Sequence, residues 1–238
     1  MKNIAIIIPT FNELENIENL VLEILKKVPE STIFIVDDSK NQEIGDLIKT
    51  KNIKVNYFHR ENKSGRGSAI IYGLDKAMKE NKYDIFIEMD ADFSHHPNEL
   101  ERNIDFFIKE KLDLLIASRY LPGSEIINWS ISRRILSKLS NFLAKNLLDI
   151  ELKDFTNGFR IYSHRSVVKI ITSCGNIGDG FIILSEIIVV IKNNFFKIGE
   201  IKTIFINRER GKSSVNFKLI IASLYGIIKL AVIKKKLI

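Results

Sequence analysis

The chain has 238 residues, 45% of them hydrophobic and only 4 of them proline, which is enough for one well-buried α/β core and too little for two comfortable domains. Abundant Leu, Ile, Val and Phe exclude a disordered chain, and no segment is repeated or low in complexity. The net charge of +7 is uneven: 16 basic and 21 acidic side chains precede Arg119, whereas 20 basic and 8 acidic ones lie from it onward. An acidic half suits metal ions and a basic half suits phosphates or an anionic membrane, while no basic helix interleaved with stacking aromatics speaks for nucleic acid.

Short apolar or β-branched runs at Ile4–Ile8, Thr32–Val36, Lys54–His59, Ile85–Met89 and Leu112–Ala117 read as strands. Helix-period stretches at Leu14–Val28, Ser68–Asn81 and Asn98–Lys109 lie between them. Such alternation predicts an α/β fold with a mostly parallel sheet covered on both faces. The polar residues after each strand, Pro9 to Glu13, Asp37-Asp38 and Asp90-Ala91-Asp92, then collect at the carboxyl edge, where open α/β sheets bind ligands. Further on, Ser130–Leu148 reads as an amphipathic basic helix, with Ile131, Ile135, Leu139 and Phe142 on one stripe and Arg134, Lys138 and Lys145 off it. A strand at Gly158–Tyr162, a helix at Phe181–Ile191 and a strand at Ile198–Ile206 complete the core.

Phe217–Ile233 is almost wholly apolar but is broken by Lys229 and followed by Lys234-Lys235-Lys236. A bilayer span needs about 20 uninterrupted apolar residues. We therefore read a helix lying in the membrane interface, ahead of a core-packed helix or a true span. Three lysines near anionic lipid contribute roughly 3 kcal/mol, so the apolar face must also insert. The single Cys174 cannot form an internal disulfide, and Met1–Ile8 runs into a strand instead of a cleavable leader. Both features place the expected protein in the cytoplasm.

Asp90 and Asp92 emerge at the end of a buried strand, an arrangement suited to Mg²⁺ or Mn²⁺ shared with substrate phosphates; the alternative is a solvated turn. A zinc reading of His95-His96 lacks further nitrogen or sulfur ligands at useful spacing, and Pro97 can open the next helix with His96 just outside it. Gly65-Arg66-Gly67 fails the dinucleotide fingerprint because Ile70 stands where a third glycine belongs. Its glycines either let backbone approach a ligand or form the turn into the helix. Arg119 follows a strand, Arg133 and Ser137 share a helix face, and Arg208 follows the last strand. Guanidinium forks match phosphate oxygens.

Read in order, several stretches resemble the polyprenol-phosphate (dolichol-phosphate) mannosyltransferases of the family 2 glycosyltransferases. They are Pro9 to Glu13, Val36 to Asp38, Gly65 to Ala69, Met89 to Pro97, Ser118 to Tyr120, Trp129 with Arg133 and Ser137, and Thr156 to Tyr162. The resemblance covers about residues 4–216, and the stretches around Asp90–Pro97 and Thr156–Tyr162 are specific to this group. It implies a GT-A catalytic domain over residues 1–216, inverting transfer, and a nucleotide-sugar donor, commonly GDP-mannose. By position, Pro9, Phe11, Glu13, Asp37 and Asp38 hold the nucleoside, with Gly65 in the donor-binding set. Asp90 and Asp92 hold metal and diphosphate, with Ser94 as a third metal contact. Arg119, Arg133, Ser137 and Arg208 receive a polyprenyl phosphate and, with Asp92, form the catalytic set. Residues 217–238 form the amphipathic helix, and the protein is expected to sit peripherally at the cytoplasmic face of a membrane.

The chain departs from the family pattern at Ser39 to Gln42, at Leu184 where glutamine is common, and at Ser214 where lysine is common. Two other readings stay open at this point: a related transferase with a saccharide or other hydroxyl acceptor, for example using UDP-glucose, and a sugar-nucleotide-binding module without turnover.

Overall fold

The computed structural model describes residues 2–61, 65–178, 180–207 and 225–233. Along the chain run β1 (Ile4–Thr10), α1 (Leu14–Lys27), β2 (Ser31–Asp37), α2 (Glu43–Thr50), β3 (Asn56–His59), α3 (Arg66–Met78) and β4 (Ile85–Glu88). A 3₁₀ turn at Pro97–Glu99 leads into α4 (Leu100–Lys109), followed by β5 (Leu114–Ser118), β6 (Glu125–Ile127) and α5 (Ile131–Leu148). Then come β7 (Arg160–Ser163), α6 (His164–Ser173), α7 (Ile182–Asn193), β8 (Ile198–Lys202) and β9 (Ile204–Ile206), and α8 at 225–233.

Seven strands form one sheet in the order β3-β2-β1-β4-β7-β5-β8, in which only β7 runs antiparallel to its neighbours. The continuous burial of β1, β2, β4 and β5 follows from helices on both faces. Ala5, Ile7, Phe34 and Phe86 pack with α3, α6 and α7 on one side. Ile6, Ile8, Ile33 and Ile35 pack with α1 and α4 on the other. The expected mostly parallel, doubly covered sheet is therefore present.

Several elements differ in detail from the sequence reading. The strand expected over Ile198–Ile206 is divided at Thr203: β8 pairs with β5 in the main sheet, and β9 pairs with β6 in a separate two-stranded ribbon. Glu99 holds the junction, accepting hydrogen bonds from Thr203 Oγ1 at 2.5 Å and from the Ile204 N–H at 2.9 Å. His96 caps the 3₁₀ turn by accepting from the Asn98 N–H, and Pro97 occupies its first position, as the sequence implied. On α5 the stripe Ile131, Ile135, Leu139 and Phe142 faces outward, while Asn141, Ala144 and Leu148 face the core. Helix α8 packs inward through Ile227 and Leu230, with Tyr225, Ile228 and Val232 exposed. Core packing thus accounts for its inner face, and only its outer face can meet a membrane. No helix among the described residues is long and apolar enough to cross one.

Close packing of α3 on the sheet requires a residue without a side chain at Gly73, where an added Cβ would lie 2.5 Å from Ile7 Cγ2 and 3.1 Å from Val36 Cγ2. Gly73→Ala is expected to lower stability by about 1–3 kcal/mol, read as a lower urea midpoint at unchanged slope.

Candidate active site

At the carboxyl edge, the ends of β1 and β2 are register partners, and Thr10 Oγ1 donates to Asp37 Oδ1 at 3.0 Å. Asp37 also accepts from the Ser39 N–H, Ser39 Oγ and Tyr57 OH. It is fully buried, so it braces the edge from behind and does not line the cleft. Burial, reinforced by the bond to Asp37, holds the Tyr57 hydroxyl well above its ordinary pKa. Asp38 does face the cleft, gripped bidentately by Arg60 at 2.6 and 2.7 Å. Within the divergent segment, Ser39 Oγ accepts from the Asn12 N–H at 2.8 Å and ties the two strand-end loops together.

Gly65 opens α3 at φ +90°, a conformation that favours glycine, and its carbonyl accepts from the Ala69 N–H. Here the turn reading applies. Gly67 serves close packing, since a Cβ there would lie 2.5 Å from Ile183 Cγ2. Between them, Arg66 reaches the end of β4: Nε and Nη2 donate to Asp90 Oδ1 at 2.8 and 2.6 Å, and Nη1 donates to Glu88 Oε1 at 2.6 Å.

Beyond β4, Asp92 Oδ1 accepts from the Ser94 N–H and Oγ at 3.1 and 2.6 Å. His95 is buried, and its Nδ1 accepts from the Asp90 N–H at 3.0 Å. The remaining imidazole proton therefore sits on Nε2 and is donated to Asn157 Oδ1 at 2.9 Å. Asn157 in turn donates to the Ala117 carbonyl, and the ring stacks on Phe159. His95 thus orients the Asp90 loop. Among the described residues no three His, Cys, Asp or Glu side chains converge as a ready-made metal cage. Asp90, Asp92 and Ser94 offer an all-oxygen partial set, which fits a hard cation that completes its shell with water and substrate phosphate.

The opposite wall is basic. Arg119 is buried with Asp154, donating to both carboxylate oxygens at 2.8 Å and to Thr156 Oγ1 at 2.6 Å. Burial alone would raise the Asp154 pKa, but the Arg119 charge and its hydrogen bonds outweigh that and hold it below its ordinary value. Arg119 and Arg133 both lie against the Trp129 ring, at 5.3 and 4.1 Å from its centroid. Arg133 sits in the first turn of α5, capped by Ser130, and donates to Asn207 Oδ1 at 2.9 Å. Ser137 accepts from Tyr120 OH at 2.6 Å and does not line the cleft with the arginines. Arg208 lies outside the described residues.

One cleft of about 160 Å³ brings together Pro9, Phe11, Glu13, Asp38, Asp90, Asp92 and Ser94 with Arg119 and Arg133. A wider hollow of about 540 Å³ beside α5, lined by Arg119, Arg134, Lys138, Lys145 and Lys153, contains no carboxylate of the strand edge. The smaller cleft is therefore where cation-binding and anion-binding groups meet.

Residues 5–171 match the sequence profile of glycosyl transferase family 2. The chain belongs to that family. The polyprenol monophosphomannose synthase of Mycolicibacterium smegmatis is 34% identical over 89% of this chain and 80% of its own length. The undecaprenyl-phosphate mannosyltransferase of Micrococcus luteus is 32% identical over 88% and 86%. A solved structure of Mycobacterium tuberculosis glucosyl-3-phosphoglycerate synthase with Mn²⁺ and UDP superposes with a TM-score of 0.69 at 15% identity, over 98% of this chain and 80% of that one. The shared architecture is the GT-A fold, and a family 2 glycosyltransferase is an enzyme, which sets aside the module without turnover.

Sequence reasoning missed Arg66, Glu88, His95 and Asn157 as parts of this family 2 site. Arg66 and His95 stand within motifs already noticed, but their partners lie up to 92 residues away. Leu184, at the divergent position, is fully buried, and its carbonyl accepts from Arg160 Nη1. Asp154→Asn leaves the Arg119 charge unbalanced, and a loss of about 3–5 kcal/mol is expected in thermal or denaturant unfolding. Because the folded Asp154 pKa lies below the unfolded value of about 3.9, its contribution is complete above that value and fades as pH falls through the folded one. The acid limb of the stability curve should be shallower in Asp154→Asn.

Proposed function

We propose that this enzyme transfers mannose, with inversion, from GDP-mannose to a polyprenyl phosphate at the cytoplasmic face of a membrane. The observation that carries the reading is the meeting of Asp90 and Asp92 with Arg119 and Arg133 in one cleft. The names of the two relatives support the sugar and the lipid class. The carboxylate edge is the donor side and the two guanidinium groups on Trp129 are the acceptor side; Ser137 and Arg208 are assigned to the same acceptor by the family resemblance.

The cleft contents suit a phosphate nucleophile. A phosphate monoester is largely ionised near pH 7, with a second pKa of about 6, so it can attack the anomeric carbon without a general base. The C–O bond to the nucleoside diphosphate breaks as the new one forms, and the leaving group takes the electron pair. Arg119, fixed by Asp154 and Thr156, and Arg133, fixed by Asn207, are preorganised to hold the phosphate in line. Asp38, with Pro9 and Phe11, borders the donor side, where the nucleoside is assigned. Bound at Asp90, Asp92 and Ser94, Mg²⁺ or Mn²⁺ would neutralise charge on the departing diphosphate. A saccharide hydroxyl acceptor would instead need a base.

The outward stripe of α5 supports peripheral membrane contact: Ile131, Ile135, Leu139 and Phe142 are 77, 60, 46 and 63% exposed. Arg134, Lys138 and Lys145 flank it, each worth about 1 kcal/mol near anionic lipid. We assign residues 1–216 to catalysis and 217–238 to a second membrane contact.

Transfer of label from GDP-mannose, and in parallel UDP-glucose, to a short polyprenyl phosphate with Mg²⁺ or Mn²⁺ tests the reaction. Metal-dependent label in the lipid fraction from GDP-mannose, lost in Asp92→Ala and in Arg133→Met, is expected. Label from UDP-glucose alone, or transfer surviving Arg133→Met, would overturn it. Flotation with vesicles containing anionic lipid should be reduced about tenfold or more by Ile135→Asp with Phe142→Asp, and unchanged flotation would remove α5 from the membrane surface.

A further inference from the structure

Arg66 lines the cleft with its charge committed to two carboxylates at once. Nε and Nη2 share Asp90 Oδ1, while Nη1 holds Glu88 Oε1. The two contacts differ in kind. Glu88 is fully buried, and its other oxygen accepts from Tyr162 OH at 2.6 Å, so it is a permanent anchor. Asp90 is partly open to the cleft, its side chain 28% exposed. The space for the guanidinium is built in, because a Cβ at Gly158 would lie 2.1 Å from Arg66 Nη2 and 2.7 Å from Cζ. The Phe181 ring lies 5.9 Å from Cζ, also bordering the cleft.

We propose that Arg66 is a diphosphate-binding residue that occupies the metal-ligand Asp90 in the resting enzyme and releases it when a nucleoside diphosphate arrives. The inference rests on the metal-dependent reading above and names the residue that couples metal to nucleotide. A guanidinium stays charged, so it leaves a carboxylate only by exchanging one anion for another. While it remains on Asp90 it repels a divalent cation at the same carboxylate. A diphosphate offers the same bidentate oxygen pattern. Pivoting about the Glu88 contact, Nε and Nη2 turn from Asp90 to the diphosphate, and the cation replaces the guanidinium at Asp90 Oδ1. No bond is made or broken. Metal and nucleotide then bind as a unit, each strengthening the other by the same factor, as linkage requires.

The test measures Mn²⁺ affinity by electron paramagnetic resonance, with and without saturating GDP or UDP, and nucleotide affinity by calorimetry in EDTA. In the wild type, Mn²⁺ is expected to bind at least about tenfold more tightly with nucleotide than alone. In Arg66→Met, Mn²⁺ alone should bind more tightly than in the wild type, the coupling should fall to the part that direct metal–diphosphate contact supplies, and metal-free nucleotide binding should weaken. If Arg66→Met does not fold because Glu88 is left uncompensated, Arg66→Met with Glu88→Gln removes that charge and is measured in its place. Wild-type coupling retained in full by the folded variant, or an unchanged affinity for Mn²⁺ alone, overturns the role of Arg66 and leaves the metal reading standing. Failure of the wild type to bind Mn²⁺ with either nucleotide overturns both.

Discussion

The geometry of the cleft depends on charge buried inside the sheet between β4 and β7. Glu88 and Arg160 are register partners there, and both are fully buried. Removing an ion from water costs several kcal/mol unless hydrogen bonds replace its hydration. Arg160 meets that demand with three carbonyls, those of Phe155, Asn157 and Leu184, at 2.7 to 3.0 Å. Each bond fixes a backbone segment: the loop before β7 and the first turns of α7 are drawn to one point. That loop carries Asn157, which orients His95, which holds the Asp90 N–H. A run of hydrogen bonds therefore leads from the interior of the sheet to the backbone of Asp90, whose carboxylate borders the cleft.

The two walls reflect the charge asymmetry of the chain. The acidic wall comes from strand ends in the first half, where parallel pairing aligns β1, β2 and β4 and carries Asp38 and Asp90 to one edge. The basic wall comes from the connection after β5, where the main sheet gives way to the short β6–β9 ribbon. Aromatic rings brace it, with Trp129 and Phe205 packed edge to face at 5.2 Å and Arg119 against both. Arginine suits this position because its weakly hydrated planar head tolerates stacking and burial.

The parallel strands were legible because strands buried on both faces read as continuous apolar runs, and the carboxylates at their ends are neighbours in any such sheet. Short elements with distant partners were not. Strand β6 has three residues and pairs with a segment some 80 positions later, and α2 has eight residues directly after the divergent Ser39 to Gln42. The break at Thr203 depends on Glu99, 104 residues earlier. Asp37 and Asp38 are adjacent in sequence, yet one braces the edge and the other faces the cleft, a distinction made by Thr10, Tyr57 and Arg60 from other elements. Periodicity identified the stripe on α5, but only packing decides that Ala144 and Leu148 are its core face.

The divided strand gives the two walls different evolutionary freedom. Strand β8 belongs to the main sheet and β9 to the ribbon with β6, joined at Thr203 and clamped by Glu99. The ribbon carries Phe205 and leads to Asn207, so part of the basic wall lies outside the main sheet, joined to it at Thr203 and held against the Ser94–His95 segment by the bridge from Phe205 to His95. Substitutions or insertions in residues 119–134 and substitutions at Asn207 can recast what that wall recognises while the β1, β2 and β4 ends keep their register. Such a scaffold allows one side of a bimolecular reaction to diverge while the other is inherited intact.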